Sequence, residues 1–129
     1  MVAVDTNVLV RLLTGDDAGQ SKRAAALFKK ETILIPKTVL LETEWVLRRL
    51  YRLESGVVMS AFHQLSGLPN VELEQPLVVA QALQWCEAGM DFADALHLAS
   101  SHPASKFATF DGQMKKAAPT AIKATIKLL

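Results

Sequence analysis

Thirteen carboxylates are spread along the 129 residues, and most of them serve the solubility that any folded surface needs. Four stand in less ordinary places. Asp5 follows directly on the apolar run Val2-Ala3-Val4, and Asp111 follows Phe107-Ala108-Thr109-Phe110. Asp94 lies within Phe92-Ala93-Asp94-Ala95-Leu96-His97-Leu98-Ala99, which is apolar nearly all round apart from Asp94 and His97. Glu42 lies inside Val39-Leu40-Leu41-Glu42-Thr43-Glu44-Trp45-Val46-Leu47. An ionised carboxylate on a buried helix is costly unless a cation or an arginine compensates it. Carboxylate oxygens with water suit a hard dication, Mg2+ or Mn2+, and the chain has no Cys/His cluster that would suit zinc.

Each acid also has a plainer role. Asp5 and Asp111 could simply cap the helices that follow them. Two strands that both end in Asp would instead aim two carboxylates at the rim where ligands bind in parallel α/β sheets, provided the two strands are neighbours. Asp91 suits the first turn of its helix, where the macrodipole favours an acid, better than it suits a site. Helical spacing puts Glu42 with Val39, Trp45 and Val46, and Glu44 with Leu40, Arg48 and Tyr51, a slight preference for Glu42 as the inward acid. His97 reads as a buried, hydrogen-bonded packing residue rather than a ligand. No Gly-rich phosphate loop, G-x-S-x-G element or Cys–His pair is present, which argues against P-loop, dinucleotide and nucleophilic-triad chemistry.

Those acids need a scaffold, and the composition supplies one. Half the residues are hydrophobic and 21% are charged, enough for a core without disulfides. The single cysteine, Cys86, reads as a packing residue. The formal charge of +1 gives no sign of sequence-independent nucleic-acid binding, though a nucleic acid held locally remains compatible with it. No signal peptide or membrane-length apolar run is visible, so we expect one cytoplasmic domain over 1–129 that does not engage a membrane.

Short apolar runs predict strands over 2–4, 33–35, 71–73 and 106–110, with a final edge strand over 122–128. Helices are predicted over 8–13, capped by Thr6 or Asn7 and ended by Gly15, and over 18–30. A long helix capped by Thr38 follows, then helices over 54–65, 77–87, 92–101 and 113–117. Strands alternating with helices mean a parallel α/β architecture.

Taken together, Val4-Asp5-Thr6-Asn7-Val8-Leu9, Glu42-x-x-Trp45-Val46-Leu47, Asp91 to Ala99 and Thr109-Phe110-Asp111 resemble the PIN-domain ribonucleases, and more narrowly the compact bacterial toxins of the VapC type. The resemblance covers nearly the whole chain. It implies a three-layer α/β/α fold around a central parallel sheet of four or five strands. It implies that Asp5, Glu42, Asp94 and Asp111 form an acidic site that holds Mg2+ or Mn2+ and cleaves RNA, leaving a 5′-phosphate and a 3′-hydroxyl. Asn7 and Thr109 match positions that steady the carboxylates, and Asp91 matches a position acidic in many of these toxins. The family also implies an antitoxin partner and a homodimer, for which Trp45, Leu47, Leu50, Tyr51, Val57, Val58 and Phe62 could supply a groove or face. A basic rim for RNA could come from Lys22, Arg23, Lys29, Arg48, Arg49, Arg52, Lys115 and Lys116. Gly112-Gln113-Met114 departs from the more basic or aromatic run of many relatives. The rival readings are a silent binding module whose acids dock a partner's arginine, and another Mg2+-dependent α/β enzyme such as a phosphatase.

Overall fold

The computed structural model describes residues 1–129. The chain divides into two compact units, Met1–Pro76 and Leu77–Leu129. Five strands form, all paired in parallel, and they lie in two ladders of three and two strands rather than one continuous ladder. The strands are only two or three residues long, so each contributes few ladder hydrogen bonds.

In the first unit, β1 (Val2–Ala3) pairs with β2 (Ile33–Ile35), which pairs in turn with β3 (Val71–Leu73). Ile33 and Ile35 are buried, as a central strand covered by helices requires. Helices α1 (Thr6–Thr14) and α2 (Ala18–Lys30) connect β1 to β2, and α3 (Lys37–Arg49) and α4 (Ser55–Ser66) connect β2 to β3. Leu9, Val10, Leu40, Leu47, Val58 and Phe62 are buried in this unit. Gly15 ends α1 with φ 66°, the left-handed cap for which a residue without Cβ is suited. Asn70 ties the approach to β3 back to α2, its side-chain amide donating to the carbonyls of Phe28 and, at 2.9 Å, Glu31.

In the second unit, α5 (Pro76–Glu87), whose first residue closes the first unit, and α6 (Phe92–Ser100) precede β4 (Phe107–Thr109). Next come α7 (Gly112–Ala117), a 3-10 turn (Thr120–Thr125) and β5 (Ile126–Leu128), which pairs with β4. Val79, Leu83, Cys86, Phe92, Leu96 and Ile126 are buried, so Cys86 packs as expected.

Several local expectations are corrected. The cap of α1 is Asp5, not Thr6 or Asn7. The cap position of α3 is Pro36, not Thr38; proline has no side-chain acceptor, and the first helical amide, that of Lys37, donates instead to Glu74 Oε1 at 2.9 Å. The last strand is confined to its final three residues, since Pro119 opens a 3-10 turn ahead of it. Among the apolar residues considered for a groove or dimer face, Leu47, Val58 and Phe62 are core, whereas Trp45, Leu50 and Val57 are exposed. No helix is long and apolar enough to cross a membrane.

Candidate functional site

Because β1 and β2 run parallel, Asp5 beyond β1 and the start of α3 beyond β2 emerge at the same end of the first ladder. Asp5 caps α1, its Oδ1 accepting the Thr6 amide at 2.7 Å. Its other oxygen accepts no protein hydrogen bond. The hydroxyl of Thr6, 5% exposed, donates to Glu42 Oε1 and ties α3 to the first turn of α1. Thr6 is the residue that sequence reasoning passed over. The available signal was a polar, β-branched side chain in a first helical turn whose cap position Asp5 already fills.

Helix α3 corrects the assignment of its inward acid. Glu44 is 3% exposed and pairs with Arg48 at 2.7 Å one turn later, while Glu42 lies on the exposed face with Trp45. The i,i+4 spacing of Glu44 and Arg48 lets the acid be buried with its cation. Arg48 therefore serves Glu44 and is removed from the basic rim. Asn7 is exposed and forms no hydrogen bond to a carboxylate, so the steadying role implied for it is not present.

In the second unit, Asp91 caps α6, its Oδ2 accepting the Asp94 amide at 3.2 Å, as its helix-start reading requires. Asp111 caps α7 through bonds from the amides of Gln113 and Met114 at 2.9 and 3.3 Å, both to Oδ1. Thr109 Oγ1 accepts the Asp111 amide at 3.0 Å and thereby fixes the turn that carries this acid. Met114 is buried, so this part of the unusual Gly112-Gln113-Met114 run faces the core.

Asp94 differs from the other three. It is half-buried, and its carboxylate accepts no hydrogen bond. Burial, then the charge of Asp91, then that of Asp111, hold its carboxyl above the usual range, against a smaller opposing pull from His97. His97 itself is exposed, which overturns its reading as a buried packing residue.

The residues fit a hard dication in chemistry: the donors are carboxylate oxygens, and a cation would relieve the repulsion at Asp94. No group of three or more His, Cys, Asp or Glu side chains forms a ready-made cage. What the chain presents is Asp5 near Glu42 through Thr6, and Asp94 acted on by Asp91 and Asp111.

A family model described as PIN domain matches residues 2–119. The crystal structure of VapC20 of Mycobacterium tuberculosis, described as a sarcin–ricin loop cleaving toxin, matches over 91% of this chain and 95% of that one, with 23% sequence identity and a TM-score of 0.46. No curated protein sequence matches the chain.

Proposed function

The chain belongs to the PIN-domain family, whose fold is three-layer α/β/α, and on that premise we propose that it is a metal-dependent endoribonuclease, the toxin of a VapC-type toxin–antitoxin pair. The observation that carries the reading is Asp94: a half-buried carboxylate with no hydrogen-bond donor, beside the charges of two further acids. The first turn of α6 favours an acid there, but the partial burial and the two like charges are left uncompensated, and a bound cation would offset both. The family match runs across both compact units, which supports treating 1–129 as one functional domain.

Asp5 and Asp94 would hold Mg2+ or Mn2+ most directly, with Glu42 and Asp111 completing the ligand set or orienting the attacking water. A bound dication lowers the pKa of water and neutralises charge that develops on the phosphoryl oxygens. The chain's own contribution is placement. Capping bonds hold one oxygen of Asp5 and of Asp111 on a helix start and leave the other free for a ligand. Thr6 fixes which way Glu42 turns, and Thr109 fixes the turn before α7. Asp91 positions the first turn of α6 and keeps a negative charge near Asp94.

The RNA substrate, an antitoxin and a cytoplasmic setting follow from this reading. The exposed Trp45, Leu50 and Val57 are apolar surface available for a second copy of the chain. The test is incubation of the purified protein with structured RNA and Mn2+, beside a chelator control. Cleavage that disappears with chelator supports the nuclease. RNA left whole, or phosphate released from small phosphomonoesters instead, contradicts it.

A further inference from the structure

The first unit contains a cleft of about 430 Å³ between α1 and α2. That volume is within the range of small-ligand sites, roughly 300–1,000 Å³. Val8, Ala24 and Leu27 supply its apolar lining, and Asn7, Arg11 and Arg23 supply polar groups. The two arginines differ. Arg11 is committed, donating to Asp16 at 2.9 and 3.1 Å and to Gln20 at 2.7 Å. Arg23 is exposed and has no ion pair or hydrogen bond, and the Asn7 amide is likewise free.

The cleft adjoins the acids by covalent geometry. Asp5, Thr6 and Asn7 are consecutive: the first caps α1, the second holds Glu42, and the third lines the cleft. An RNA strand, in which phosphates alternate with riboses that each carry a base, must place a neighbouring nucleotide beside the acids when its scissile phosphate lies at them. An apolar lining with one free guanidinium and one free carboxamide matches that nucleotide's three parts. Apolar side chains accept a base or ribose face, an amide pairs with a base edge, and a guanidinium pairs with a phosphate.

We propose that the α1/α2 cleft is a nucleotide subsite for single-stranded RNA, with Arg23 binding the phosphate next to the scissile one and Asn7 reading the base. The assignment rests on the ribonuclease reading above, and the experiment separates the two. Binding of a short fluorescent single-stranded RNA is measured by anisotropy in chelator over a salt series, so that no cleavage is needed. Cleavage of the same RNA with Mn2+ is measured separately.

Arg23→Gln weakens binding about tenfold and reduces the slope of log K against log salt by about 0.7, the loss of one phosphate contact on a single strand. Arg23→Lys keeps the slope, because a point charge remains. Asn7→Ala weakens binding without changing the slope, since an amide carries no charge. Unchanged melting temperatures of the variants exclude a folding defect. Arg23→Gln binding RNA with wild-type affinity and slope overturns the subsite, whether or not the wild type cleaves. If Arg23-dependent binding is present while the wild type leaves RNA uncut, the subsite stands and the nuclease reading falls.

Discussion

Asp94 has no hydrogen-bond donor, and the charges of Asp91, Asp111 and His97 all act on it. Its carboxyl is raised in the folded chain, first by burial and then by the two acids, so the folded state holds that proton more tightly than the unfolded state does. Stability is therefore lost as pH rises from the ordinary carboxylate value through the shifted one. Asp94→Asn removes that loss: without dication it melts above wild type at neutral pH, and the advantage closes in acid, as thermal melts over a pH series will show. The same variant loses RNA cleavage. Thr6 offers a finer probe, because it acts through Glu42. Thr6→Val lowers kcat about 10- to 100-fold, the usual range when a residue orienting a metal ligand is removed, and Thr6→Ser restores most of it. An unchanged kcat in Thr6→Val would reduce this hydroxyl to a packing role.

At the scale of elements, periodicity carried most of the information. Ile33-Leu34-Ile35 and Val71-Glu72-Leu73 are strands where the apolar runs place them, and Gly15 ends α1 in the left-handed conformation that its type suggests. Helix α3 shows where periodicity runs out. Leu40, Thr43, Glu44 and Leu47 are its buried residues, and the face with Trp45 is exposed. Hydropathy alone counts tryptophan as inward and glutamate as outward. The decisive feature was the i,i+4 partner, Arg48, which allows Glu44 to be buried. Arg48→Met removes that guanidinium and destabilises the fold by about 1–3 kcal/mol, measured by denaturant unfolding. Asp91 and Asp111 were legible as caps, whereas the helix signals put the caps of α1 and α3 on other residues. Whether Asp5 and Asp111 do more than cap could not be read from sequence. A capping acid and a ligating acid have the same residue type. Asp17, which only caps α2, keeps a spare oxygen just as Asp5 and Asp111 do, so metal binding itself is what distinguishes them.

For the whole molecule, a formal charge of +1 hides an uneven distribution: carboxylates on helix starts after β1 and β4, and unpaired basic residues such as Arg23 elsewhere. Two of the proposed ligands, Asp5 and Glu42, belong to the first unit, and Asp94 and Asp111 belong to the second. A dication that binds the folded chain and not the unfolded one raises its stability by about 2.7 kcal/mol at a hundred times its Kd. The most direct measurement is calorimetric titration of Mn2+ into the wild type and into Asp94→Asn. Saturable binding to the wild type that is lost in the variant is the predicted result. No binding to the wild type, or equal binding to both proteins, would contradict the assignment of these acids to a metal.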